Sequence, residues 1–441
     1  MSVPAYPAYR ESAVDWLGSV PSAWDLKPLK HLAEFINGDA FKPDEWSEDG
    51  TPIIRIQNLN GGEEFNYFRG ETNPRHHVQK GDLLFGWSGN RGTSFGPFVW
   101  PREGLHYLNQ HIFKIVPGNC HVGWLYWCLK AVTLYVEQQA HGIIGMVHVT
   151  KGALGSIPAP FPDRQEQSAI AAFLDHETAK IDALVAEQER LIALLKEKRQ
   201  AVISHAVTKG LDPNAPMKDS GVEWLGQVPA HWEVGHIKRL CYDITDGAHI
   251  SPETEDGAYD FVSTKDIGDD GIDFEASLKT SPATYDYMVR TGCRPMAGDV
   301  LFSKDGTIGR TALVTEDREF VVASSLIILR PNADAVMPAF LYSLLQSSFI
   351  VKQVECFVKG AGLPRLSIQN LLKVLGVFPP KSEQAEIVAT LETLARDCKD
   401  LIAMSTRAIA LLRERRAALI SAAVTGKIDV RDFVPPEPQP A

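Results

Sequence analysis

A chain of 441 residues with 44% hydrophobic and 22% charged side chains has a globular balance and room for two or three domains. Its formal charge of −11, from 44 basic and 55 acidic residues, argues by itself against a phosphate-binding surface. No stretch nears the ~18 apolar residues of a membrane span and MSVPAYPAYRES has no signal-peptide core, so a soluble, cytoplasmic protein is expected.

In chain order, the first marked feature is DWLGSVPSAW at 15–24, which returns as EWLGQVPAHW at 223–232. Trp16, Leu17, Gly18, Val20, Pro21 and Trp24 each match a residue 208 positions on. Further along the offset becomes 217: Gly81-Asp82 answers to Gly298-Asp299, Glu166-Gln167 to Glu383-Gln384, and LLKEKRQAVIS at 194–204 to LLRERRAALIS at 411–421. After each opening come short β-rich runs, TPIIRIQNL, DLLFGW and HIFKIV in the first copy, then YDFVSTKDI, DVLFSK and SSLIILR in the second, punctuated by Gly, Asn and Asp. A Pro-rich stop, IPAPFPD or VFPPKSE, precedes a long helical pattern in each. The prediction is an α+β protein: two β-rich domains, at 1–162 and 209–380, each followed by a long helix, at 163–208 and 381–425, with a tail at 426–441.

The helices carry a heptad pattern. One frame places Ile170, Glu177, Leu184, Leu191 and Lys198 on one row, and Leu174, Ile181, Gln188, Leu195 and Val202 on the other. Shifted by 217, the rows hold Ile387, Leu394, Leu401, Ala408 and Arg415, and Leu391, Cys398, Ser405, Leu412 and Leu419. A helix over 165–205 spans roughly 60 Å, more than a small domain covers, so each helix is expected to pair with the other.

Motifs for catalysis are missing. GWSGN lacks the second Gly of a nucleophile elbow, DGTIGRT and VTGKID lack P-loop spacing, and Pro379-Pro380 does not fit an N/D-P-P-Y/F methyltransferase loop. Pro162-Asp163 could open a nuclease motif, but no E-x-K or D-x-K triplet follows through the helix. The six cysteines (Cys120, Cys128, Cys241, Cys293, Cys356, Cys398) form no C-x-x-C pair, and His76, His77, His106, His111, His141 and His148 read as turn or surface histidines, so no metal is expected. Four Gly-rich loops with isolated bases remain: GWSGNRGTSFG, HGIIGMVHVTKG, SKDGTIGRT and VKGAGLPRLS. They are either tight turns of a β-rich fold or loops whose backbone approaches phosphate while a base reaches a guanine edge.

The order YPAYRESAVDWLGSVPSAW, variable segment, Gly-Asp-Leu-Leu-Phe, FPDRQEQ and a helix ending in KEKR, all repeated, resembles the specificity (S) subunit of type I restriction–modification enzymes; SKDGTIGR strengthens the likeness. The resemblance implies two target recognition domains, each reading half of a bipartite double-stranded DNA target. It implies that the helices form an antiparallel coiled coil with pseudo-twofold symmetry, which sets the spacer and docks two modification (M) methyltransferase subunits. Restriction (R) subunits join where present. This chain would then be non-catalytic and bind no cofactor, with S-adenosylmethionine on M, and ATP and Mg on R.

By motif, the implied DNA contacts are Asn90, Arg91, Thr93, His148 and Lys151 in the first domain. In the second they are His249, Lys304, Thr307, Arg310, Lys359 and Arg365. The implied helix-pairing residues are Leu174, Ile181, Leu184, Leu191, Leu195, Leu391, Leu394, Leu401, Leu412 and Leu419. Residues 1–162 carry net −2 and 220–380 net −7, so weak DNA binding by the isolated chain is expected, with phosphate contacts supplied by M. The alternative is a two-module scaffold that binds protein instead of DNA.

Overall fold

In the computed structural model, which describes residues 4–139, 146–253, 257–268, 271–358 and 364–434, the chain divides into two compact units. One comprises 1–188 with 407–441, the other 189–406.

Each unit begins with the same hairpin. Tyr9–Glu11 pairs antiparallel with Ser19–Pro21, and Met217–Asp219 with Gln227–Pro229, in the register that the 208-residue offset demands. The tryptophan that follows is buried in both units, and its indole N–H donates to a glutamate at the start of the long helix. Trp24 reaches Glu166 Oε2 at 2.8 Å, and Trp232 reaches Glu383 Oε2 at 2.9 Å. The neighbouring glutamine is buried too. Gln167 donates to Pro162 O and accepts from His121 N, while Gln384 donates to Pro379 O and accepts from Met337 N. The repeated W, P and E-Q signatures therefore meet in one clasp, in which the indole N–H and both ends of the glutamine amide are hydrogen-bonded at the place where a long helix leaves its domain.

The core of the first unit is an antiparallel sheet in the order Gly96–Val99, Leu83–Gly86, Ile112–Pro117, Ala33–Asn37. Beside it stands a mixed sheet in which Thr51–Ile54 and His106–Leu108 run parallel. The second unit repeats this with Cys241–Asp246, Leu326–Pro331, Val300–Ser303 and Thr311–Leu313, and a mixed sheet in which Tyr259–Val262 runs parallel to Phe320–Val322. The shared architecture demands glycine at one place in each. A Cβ on Gly38 would sit 2.1 Å from Leu108 O, and one on Gly247 the same distance from Ala323 O.

The long helices run Arg164–Lys209 and Lys381–Val424. In the first unit Ile170 and Leu174 share a core with Ile420, Ala423 and Val424, and Asp182 pairs with Arg416 at 2.8 Å, so the two helices are antiparallel there. In the second unit Ile203 and Val207 of the first helix share a core with Ile387 and Leu391 of the second. The tail after the second helix closes on the first unit's beginning: Lys427 Nζ donates to Ser19 O, Tyr9 Oη to Gly426 O and Asp429 N to Pro4 O.

The heptad reading needs one correction. The row through Leu174, Ile181 and Leu195, and through Leu391, Leu412 and Leu419, is buried or half-buried. The companion row lies one residue later than expected, at Thr178, Val185, Ile192 and Arg199, and at Ala395, Ile402, Ile409 and Arg416. Leu184, Leu191 and Leu401, placed in the seam by sequence, are instead 46%, 40% and 45% exposed. Two apolar rows flank the shared one, at spacings of three and four, and both satisfy a heptad. The β-branched Val185, Ile192, Ile402 and Ile409 occupy the inner one. Leu394 remains half-buried against the second unit's core, where the helix still lies on its domain.

Candidate nucleic-acid interface

The four Gly-rich loops meet in pairs, one pair per unit. In the first unit Ser88–Asn90 pairs antiparallel with Met146–His148, setting Ser88 opposite His148 and Asn90 opposite Met146. In the second, Asp305 bridges antiparallel to Arg365. Asp305 and Arg365 lie 217 positions after Ser88 and His148, so one backbone contact recurs with different side chains.

In the first unit the loop beyond this contact is tied by its own backbone. Asn90 O accepts from Thr93, Ser94 and Phe95 N, while Ser94 Oγ accepts from Asn90 N. Gly92, at φ +68°, donates its N–H to Glu137. Asn90, Arg91 and Thr93 are exposed along the turn. His148 stands edge-on to Trp87 at 4.8 Å, and His111 lies 5.5 Å from the same indole. The Trp87 N–H is spent on Gln110 O, and its ring presents an apolar surface to both imidazoles. Lys151 is exposed at the start of a short helix capped by Thr150. Neither Trp87 nor His111 was singled out from sequence as part of this surface.

The second unit builds the same place from charges. Ser303 Oγ donates to Thr307 O and accepts from Arg310 N, closing the loop around Gly306 and Gly309. Leu366 N donates to Lys304 O and Gly306 N to Pro364 O, stitching the two loops together. Lys304, expected to reach DNA, is buried with only 9% of its side chain exposed, and its ammonium pairs with Asp246. It therefore faces the interior of the domain and not the loop surface. Asp246 also meets His249 Nε2 at 3.1 Å, which leaves that imidazole exposed and held from behind. Burial works to raise the Asp246 pKa, but Lys304 and His249 outweigh it and hold the carboxyl below its usual range. Arg365 donates Nε–H to Asp305 Oδ1 at 2.7 Å, and Nη2 lies 3.4 Å from Oδ2. Thr307 is exposed at the loop tip.

Arg310 turns elsewhere. Its Nη1 donates to Ile267 O at 3.0 Å, and it lines a groove of about 560 Å³ together with Lys196 and Arg199 of the first long helix. Lys359 lies outside the described residues. Among the described residues no cluster of His, Cys, Asp and Glu has the makings of a metal site, and no helix is long and apolar enough to cross a membrane.

The repeated domain with a shared loop contact and divergent side chains has known counterparts. The family model described as "Type I restriction modification DNA specificity domain" matches residues 21–192 and again 229–410, and the chain belongs to that family. A similar protein is the type I restriction enzyme EcoBI specificity subunit of Escherichia coli, 25% identical over 433 residues that span 95% of this chain and 89% of that one. Another is the MjaVIII specificity subunit of Methanocaldococcus jannaschii, 22% identical over 425 residues and spanning 94% and 95% of the two chains. A solved chain from a study of complex assembly and conformational transition of the type I R-M system aligns with TM-score 0.67 at 15% identity, covering 92% of this chain and 98% of that one; it shares the fold.

Proposed function

We propose that this chain is the non-catalytic specificity subunit of a type I restriction–modification complex, and that each domain reads one half of a bipartite DNA target. The observation that carries this reading is the loop contact repeated at a 217-residue offset, Ser88 with His148 and Asp305 with Arg365. A backbone scaffold held constant beneath different polar side chains is what two readers of different base sequences require. Asn90, Arg91, Thr93, His148 and Lys151 would serve one half-site, and His249, Thr307, Lys359 and Arg365 the other, with Arg310 reaching it only from the neighbouring groove that it lines with Lys196 and Arg199. The domains at 1–162 and 209–380 are held on the two long helices, whose antiparallel pairing would act as a ruler for the spacer.

The same helices would dock two modification subunits. Leu184, Leu191, Leu194, Leu401, Met404 and Leu411 are each exposed on them, apolar side chains that suit partner helices. With a net charge of −11, the isolated chain should bind DNA weakly, and the duplex would be clamped only in the assembled complex. The deciding experiment is methylation profiling of genomic DNA from cells that express this chain with its methyltransferase partner. A bipartite, gapped motif is expected; an ungapped palindrome, or no methylation dependent on this chain, would sink the reading in favour of a protein scaffold.

A further inference from the structure

Arg365 is held in an unusual way for a surface arginine. Asp305, with a side chain only 12% exposed, takes the Nε–H and Nη2–H edge of a guanidinium that is itself 65% exposed. The carboxylate is fixed in turn, because the backbone bridge at Asp305, the Gly306 to Pro364 bond and the Leu366 to Lys304 bond lock both loops. Beneath them the Lys304–Asp246 pair fills the interior. One edge of the guanidinium is thereby occupied. Among the described residues no other group meets its remaining edge, formed by Nη1–H and the second Nη2–H.

That edge is the fork that matches guanine O6 and N7 in a major groove. A free arginine must give up side-chain entropy to present it, whereas one tied along its other edge is already oriented. We infer that Arg365, aligned by Asp305, is the guanine-reading residue of the second domain. This rests on the proposed role of the chain as a DNA reader. The surroundings favour base reading over phosphate contact. The domain carries net −7, and the adjacent lysine is buried in an ion pair, so among the described residues no basic cluster gathers here for a phosphate. In the first domain the corresponding contact joins Ser88 to His148, with no carboxylate, so this device belongs to one half-site only.

The test compares the methylation motif of complexes assembled with wild-type chain, Arg365→Ala, Arg365→Lys and Asp305→Asn. The wild-type motif should contain a guanine in one half-site. Arg365→Ala and Arg365→Lys should both lower preference for that guanine about 10- to 100-fold and leave the other half-site unchanged. Asp305→Asn should lower it by a smaller factor, about 3- to 10-fold, because the fork is retained but no longer held. Retained selectivity in Arg365→Lys would make the contact one of charge alone and overturn the inference, as would an unchanged motif in Arg365→Ala. Both results leave a gapped wild-type motif intact, so they are distinct from failure of the reader assignment, in which wild-type chain directs no gapped motif. Unchanged melting temperatures in Asp305→Asn and Arg365→Lys exclude loss of fold as the cause.

Discussion

The two candidate surfaces share one backbone contact and differ in the chemistry laid over it. In the first unit Trp87 contacts both His111 and His148, and its neighbour Ser88 is uncharged. In the second, the positions of Trp87 and Ser88 are taken by Lys304 and Asp305, and Asp246 and Asp305 orient His249 and Arg365. The comparison explains why acidity is a poor guide to function here. Of the acidic side chains that make the second domain net −7, Asp246 and Asp305 are paired with His249, Lys304 and Arg365, and Asp260 is buried against Lys279, Ser277 and Arg318.

If the shared scaffold is equivalent in both units, breaking the same clasp should do the same damage. Trp24→Ala and Trp232→Ala each remove a buried indole and strand a glutamate, so each should cost about 3–5 kcal/mol in its own unit. Hydrogen exchange that resolves the two units measures both; a several-fold difference between them would mean the clasps are not equivalent. The charged layer should be the costlier one to cut: Lys304→Met leaves Asp246 without its ammonium and should destabilise the second unit by roughly 3 kcal/mol. Trp87→Phe, at the matching place, should cost about 1 kcal/mol because the aromatic wall survives.

Acidification should separate the units in a defined direction. The folded-state pKa of Asp260 lies below its ordinary value, since Lys279, Ser277 and Arg318 outweigh the burial that works to raise it. Its contribution is therefore fully present above the unfolded carboxylate pKa of about 3.9 and is lost as pH falls through the lower, folded value. Asp260→Asn should flatten the pH dependence of the second unit's stability below about pH 4, as measured by denaturant unfolding at a series of pH values, and leave the first unit's unchanged. The smallest effect on stability is expected at the exposed leucines. Leu184→Ser, Leu191→Ser and Leu401→Ser should each stay within about 0.5 kcal/mol of wild type, yet weaken assembly with the methyltransferase subunits in gel filtration.

Repetition made much of this legible in the sequence. Matching offsets mark both Trp/Pro openings, both Gly-Asp turns and both helix starts, and set the Gly-rich loops at corresponding places, but the hairpins and the pairing of the loops came only with the fold. Periodicity found the long helices and the shared row through Leu174 and Leu391, but not the second row. Spacings of three and four look alike until a partner helix selects Val185 over Leu184 and Ile402 over Leu401. The loops were found as loops, but which base points outward depended on acids far away in sequence. Lys304 meets Asp246, 58 positions earlier, and Arg365 meets Asp305, 60 positions earlier. Asp305 lay in plain view inside SKDGTIGR. Counting it as an acid concealed its use as a brace.

The partition of the chain also bears on how it is made. The second unit is contained in residues 189–406, whereas the first needs Ile420, Ala423, Val424 and Val430 to complete its core. On the ribosome, the half that begins first is thus the half that finishes last: the N-terminal sheets must wait, with one face of their core uncovered, while the other unit is synthesised in full. Chaperone dependence and premature termination should fall hardest on the N-terminal unit, since a chain cut short after Thr406 has every residue of its second unit and lacks the C-terminal part of the helix that closes its first.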